Sequence, residues 1–193
     1  MALTKVLTGG IADDAVTSAK IPANAITDSE LKLDDNYAFT GTITGAGGTN
    51  TPYFYGKKAS DQAITRNTTT RITSFTTNEI DSAGAFNGTT FTVPSGQAGR
   101  YYFHMSVSTD FSGVGADGER MLLYFYVNGS SVAFNDYFIG SSYNIVQYTN
   151  SFSYLADLSV GDTAELYIYH KDGNASGNGT TNTGSFFLGY KLA

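Results

Sequence analysis

The stretch from Phe91 to Val107 restricts the fold of this chain more than any other. A run of strand formers, Phe91-Thr92-Val93, stops at Pro94, which cannot donate to a β ladder and so marks a strand end. Ser95-Gly96-Gln97-Ala98-Gly99 follows, and its glycines take backbone angles that other residues resist. From Arg100 a second run begins, with Tyr101, Phe103, Met105 and Val107 on one face and Tyr102 and His104 on the other, because successive side chains of a strand alternate. The stretch reads as strand, turn, strand, and the second strand is too apolar to stand exposed.

The rest of the chain beyond residue 52 repeats this theme. Further β runs are expected at Tyr53–Lys57, Thr69–Phe75, Thr89–Val93, Arg120–Val127, Ser131–Tyr137, Ile145–Asp157, Thr163–His170 and Ser185–Leu192. Turn signals separate them at Asn87-Gly88, Asn128-Gly129, Gly161-Asp162 and the Gly/Asn-rich segment 172–184. Asn-Gly between two β runs is a strong hairpin signal. Many short strands at such spacing predict an all-β antiparallel sandwich or jelly roll. Composition agrees. Aromatic residues make up 14% of the chain, all Tyr and Phe, and charged residues only 15%, against about 25% in an average soluble domain.

Several strands are apolar on both faces. Met121, Leu123, Phe125 and Val127 alternate with Leu122, Tyr124 and Tyr126, and Ala164, Leu166 and Ile168 with Tyr167 and Tyr169. A sandwich buries one face of each sheet, so the second face wants cover too. At roughly 25 cal/mol per Å² of buried apolar surface, a few aromatic side chains supply a strong contact between copies. A homo-oligomer is therefore expected, with Tyr102, Tyr124, Tyr126, Tyr167, Tyr169 and Phe187 at its interface. The competing reading is a monomer with a Tyr-rich surface.

Residues 1–36 have a different rhythm. Asp14–Ile21 and Asn24–Leu31 match at a spacing of ten, and Ile11, Val16, Ile21, Ile26 and Leu31 recur every five positions. That period fits neither a helical face nor strand alternation. It fits a short repeat that gives one apolar residue per turn to a shared axis, and such repeats need neighbours to make a core. This segment is expected to pack against its own copies or a partner protein; the competing reading is a flexible polar tail. Residues 37–52 then form a connector ending in the linker Gly45-Ala46-Gly47-Gly48, and the domain occupies 53–193.

The net charge of −6 argues against nucleic acid, which rewards basic stripes. No apolar run approaches the roughly 20 residues of a membrane-spanning helix, and the N-terminus lacks the apolar core of a secretory signal. There is no cysteine. His104 and His170, the two histidines, stand in no nucleophile or metal-ligand pattern. Asp110, Asp117 and Glu119 gather around a Gly-containing loop, and Asp157 and Asp162 flank a turn, but neither group has the oxygen density that calcium wants. No cofactor, metal or catalytic residue is expected, and the chain does not read as an enzyme.

The series Phe91-Thr92-Val93-Pro94, Gly99-Arg100-Tyr101-Tyr102-Phe103, Asn128-Gly129, Leu158-Ser159-Val160-Gly161-Asp162 and Phe186-Phe187-Leu188-Gly189-Tyr190-Lys191-Leu192 resembles the globular head of the complement C1q family, one of the tumour-necrosis-factor-like jelly rolls. Asn78-Glu79-Ile80-Asp81 ahead of Phe86 also fits. The resemblance covers about residues 53–193. It implies a jelly roll that binds rather than catalyses and a tight homotrimer with an aromatic-lined axis. The first 45 residues, notably Leu7–Ile21 and Tyr37–Thr42, are similar to N-terminal segments of structural proteins from tailed bacteriophages of marine and cyanobacterial hosts. That similarity implies a virion location, with Ile11, Val16, Ile21, Ile26 and Leu31 in the part that docks onto other virion proteins. Together they predict a trimeric fibre or appendage whose jelly roll meets a host-surface glycan or protein through the loops 110–119, 140–143 and 172–184. The alternative is a free lectin-like or adhesive module.

Overall fold

The computed structural model describes residues 51–76, 80–110, 120–138, 147–171 and 178–192. The expected anchoring positions Ile11, Val16, Ile21, Ile26 and Leu31, the connector up to residue 50, Asn78-Glu79, and Asp117 and Glu119 lie outside the described residues.

The elements are β1 (Tyr53–Lys57), β2 (Gln62–Ile64), β3 (Thr69–Arg71), β4 (Ile80–Asp81), β5 (Thr90–Thr92), β6 (Gly99–Asp110), β7 (Arg120–Val127), β8 (Ser130–Phe138), β9 (Gln147–Leu158), β10 (Thr163–Lys171), β11 (Gly179–Thr181) and β12 (Phe186–Lys191). They form two sheets, and every pairing is antiparallel. In the first, β6 lies between β9 and the tandem of β12 and β11; β12 leads on to β1 and β4, and β11 to β2. In the second, β10 lies between β7, which carries the edge strand β8, and the tandem of β3 and β5. No helix occurs among the described residues. The protein is an all-β antiparallel jelly-roll sandwich.

Local chemistry explains the boundaries. Asn128 and Gly129 both have positive φ, 50° and 75°, the geometry that joins β7 to β8 through a two-residue turn. Its neighbour turn is tied to it: Asn128 Nδ2 donates to Asp162 Oδ1 at 2.8 Å, and Thr163 N donates to Asn128 Oδ1 at 2.9 Å. The run expected at Thr69–Phe75 ends at Arg71, because Ser74 sits at φ 63°, outside strand geometry. β2, β4 and β11, of two or three residues each, are too short to leave an alternation pattern. At the edge the two sheets share, Asn135 Nδ2 donates to Asn150 Oδ1 at 2.7 Å and Asn150 Nδ2 to the Asn135 carbonyl at 3.1 Å, clasping β8 to β9.

Phenylalanine rings fill the space between the sheets. Phe54 lies 4.5 Å from Phe86, 5.0 Å from Phe91 and 4.9 Å from Phe187 between ring centroids, and Phe103 reaches across to Phe125 at 4.9 Å. Phe54 stands opposite Gly189, and Gly56 opposite Phe187, in the β1–β12 ladder. A Cβ on Gly189 would come within 2.6 Å of Phe103 and 2.8 Å of Phe54, and one on Gly56 within 2.6 Å of Phe86. The rings occupy the room those two glycines leave.

This corrects one expected interface residue. Phe187 is fully buried in the core. It shares its face of β12 with Gly189, while Phe186, Leu188 and Tyr190 point the other way. Phe187→Ala should therefore lower unfolding free energy by about 3–5 kcal/mol, as large core truncations do. Phe186→Ala should cost the isolated domain far less, and denaturant titration of the two variants measures both.

Candidate functional site

The two ends of the sandwich differ. The chain enters beside Pro52, whose carbonyl accepts from Lys191 N at 3.0 Å. At that end the connections are tight turns: Gln97 N to the Pro94 carbonyl at 3.1 Å, Asp162 N to the Ser159 carbonyl at 3.1 Å, and the Asn128-Gly129 turn. Asp162 also accepts from Ser159 N at 2.7 Å. The Asn128 amide, and then that N–H, hold its carboxyl below the usual carboxylate range.

The opposite end lies roughly 36 Å away, since β6 runs between them with twelve residues at about 3.3 Å each. Here β6 stops at Asp110, β9 starts at Gln147 and β11 starts at Gly179. The strand ends that bound three of the expected contact loops thus meet at one place, although residues 111–119, 139–146 and 172–177 lie outside the described residues. At that place is a pocket of about 390 Å³ lined by Asp61, Asp110, Gln147, Asn178, Thr180, Asn182 and Thr183. Among the described residues every lining side chain is polar, and none is a lysine or arginine.

The amides there have fixed orientations. Asn178 Oδ1 accepts from Arg66 N at 3.2 Å, and Asn182 Oδ1 accepts from Gly184 N at 3.0 Å. Gln147 Nε2 donates to Asp110 Oδ2 at 3.0 Å. Beside the pocket, Lys58 is almost wholly buried. Its ammonium donates to the Thr73 carbonyl at 2.7 Å and to Gln62 Oε1 at 3.2 Å, and lies 5.9 Å from the Phe75 ring centre. Gln62 in turn accepts from Thr73 N at 2.9 Å and donates to the Arg71 carbonyl at 2.7 Å. Burial, only partly offset by Asp61, pushes the Lys58 amine down to about 8. Among the described residues, no three His, Cys, Asp or Glu side chains gather as metal ligands.

The expected interface tyrosines fall on two separate surfaces. Tyr124, Tyr126, Tyr167 and Tyr169 line the outer face of the second sheet, where the Tyr126 and Tyr167 rings lie 4.1 Å apart and Phe134 packs 5.7 Å from Tyr124. Ion pairs cross this face: Arg71 with Glu165 at 2.9 Å, and Arg120 with Asp136. Thr90 Oγ1 donates to the same Glu165 at 2.7 Å. Tyr102 alone lies on the outer face of the first sheet. There the register aligns two cross-strand rows, Leu155–Tyr102–Tyr190–Tyr53 and Ser153–His104–Leu188–Tyr55–Ile80. Leu155 is 55% exposed, Ile80 49% and Tyr53 42%. Tyr102 OH and His104 Nδ1 both hydrogen-bond Ser153 Oγ, at 2.7 and 2.9 Å. The next row on the same face is an exposed ion pair, Arg100 with Asp157 at 2.8 Å. Sequence reasoning passed over Tyr53, Tyr55, Leu155 and Tyr190, although the alternation Tyr53/Phe54/Tyr55 carries the signal.

No protein-family model matches the sequence, and no curated protein does. Among solved structures, the chain is similar to the globular domain of zebrafish complement 1qA protein, with a TM-score of 0.53 and 18% identity, over 74% of this chain and 97% of that one. The likeness extends the jelly-roll assignment to a C1q-like topology.

The buried cation has a consequence for stability. Lys58 titrates near 8 when folded and at 10.5 when free, so unfolding takes up a proton in that interval and stability rises with pH across it. Tyr101, whose hydroxyl donates to the Gln97 carbonyl, is pushed up by burial from 10.0 to about 12. Unfolding then releases a proton above pH 10, and stability falls from there. Thermal melts from pH 7 to 11 should show a maximum near pH 10, and Lys58→Met should flatten the rise below it.

Proposed function

We propose that the protein is a non-enzymatic, homotrimeric structural protein of a virion, a short fibre or an appendage of head or tail. On this reading the N-terminal segment docks onto the particle and the jelly roll faces outward for adhesion to a host-surface glycan or protein. The observation that supports it best is the outer face of the first sheet. Its two rows, in which Tyr, Leu and Ile outnumber Ser153 and His104, expose Leu155, Ile80 and Tyr53 beside one ion pair, Arg100–Asp157, and exposed apolar surface of this kind is what oligomers cover. A heterologous contact repeated by a three-fold axis closes into a ring, the assembly that the C1q resemblance implies. On this reading the outer face of the second sheet, crossed by two ion pairs, is left to solvent.

The polarity of the head supports outward display. The chain enters at the end with tight turns, and the polar pocket lies at the other. Binding groups commonly sit on loops held by a rigid scaffold. The virion assignment itself leans on the five-residue rhythm of Ile11, Val16, Ile21, Ile26 and Leu31 and on the phage similarity of that segment. A free adhesive module is the alternative.

Light scattering after size exclusion tests the assembly. The intact chain should elute with the mass of three copies, and Leu155→Arg should reduce it to one copy while leaving the thermal transition of the head within a few degrees. A monomeric wild-type chain would remove the trimer from this reading. Deleting residues 1–36 should abolish incorporation into particles; a truncated protein that still enters them would favour the free module.

A further inference from the structure

The pocket at the far end of the head has a donor and acceptor set that selects one ligand chemistry. We infer that it takes a neutral polyhydroxylated ligand, a carbohydrate without carboxylate or phosphate, through Asp61, Asp110, Asn178 and Asn182. This deepens the reading of the head as an adhesive module and rests on it.

Three alternatives fail on the lining. An anionic ligand would face two carboxylates with no lysine or arginine among the described lining residues. An apolar ligand would find no apolar side chain among the described lining residues. A metal cation would want oxygen from the amides, but the carbonyl oxygens of Asn178 and Asn182 are turned to the backbone N–H groups of Arg66 and Gly184. Each oxygen has one lone pair left after that bond, while the NH₂ groups beside them repel a cation and offer a ligand two donors apiece. Carboxylate acceptors beside amide donors match a sugar hydroxyl, which gives one hydrogen bond and accepts others. The volume of about 390 Å³ falls within the range usual for small-ligand sites.

The test uses the full chain and saturation-transfer NMR with methyl galactoside, methyl glucoside, methyl mannoside, N-acetylglucosamine and 3′-sialyllactose, with calcium chloride titrated separately by calorimetry. At least one neutral sugar should show transfer, and sialic acid protons should show none. The double variant Asn178→Asp/Asn182→Asp keeps both oxygens that accept from the backbone and removes both NH₂ donors. It should weaken the sugar at least tenfold without changing the melting temperature by more than a few degrees. The inference is overturned if no neutral sugar shows transfer, if transfer survives in the double variant, or if calcium rather than sugar binds the wild type. A trimer that binds no sugar refutes the pocket and leaves the assembly standing. A monomer that binds sugar refutes the assembly and leaves the pocket.

Discussion

The structure depends on a reciprocal exchange between glycine and phenylalanine. In the β1–β12 ladder, Phe54 faces Gly189 and Phe187 faces Gly56. Each missing side chain makes room for a ring of the cluster that also holds Phe86, Phe91, Phe103 and Phe125. Interiors are packed to crystal-like density, so neither glycine can gain a methyl group without displacing a ring. Because the cluster draws on both sheets, it also sets how the sheets lie on one another. This is a core built from a few large, flat side chains, and it needs no disulfide, as there is no cysteine to make one.

A rigid core of this kind lets the two ends diverge. At one end, the turns are tied to each other by Asn128, Asp162 and Thr163. At the other, side chains add to the ladders: Gln62 with Lys58 and Thr73, and Gln147 with its ladder partner Asp110. Burying an ammonium costs free energy unless it is well partnered, and Lys58 has its carbonyl, its amide and a ring face. The cation holds the first bend after β1 beneath the residues that line the pocket.

The sequence was most legible where one face of a strand is buried over many residues. β6 announces itself by alternation, and β7 and β10 by unbroken runs of apolar and aromatic strand formers between turn signals. The jelly roll followed from the number of short runs and the turn signals between them. The parity of β12 was harder: Phe186-Phe187-Leu188-Gly189-Tyr190 has an apolar or aromatic residue at every position but one. Only the packing of Gly189 against Phe103 and Phe54 decides that Phe187 is core. The aromatic faces were legible as surplus hydrophobicity, but not their division between sheets. Tyr102 parts company with Tyr124, Tyr126 and Tyr167 only through strand order, which alternation does not encode. The pocket was legible as loops and not as residues, because Asp61, Asp110 and Asn178 meet through pairings between β2, β11 and β6 that are distant in sequence.

The proposed trimer face and the proposed ligand pocket bear on each other. A pocket that bound through hydrogen bonds alone, with no aromatic platform among its described lining residues, would give up most of each bond's strength to competing water, leaving about 1 kcal/mol net per bond. A single head with such a site holds its ligand weakly. Three heads joined through the outer face of the first sheet would present three pockets at one end. A surface carrying many copies of the ligand would then engage them together, and avidity can exceed the single-site affinity by about 10²–10⁴. That gain needs all three pockets on the same side as the target. An interface along the side of the sandwich preserves that arrangement, whereas one built on either end would have consumed it.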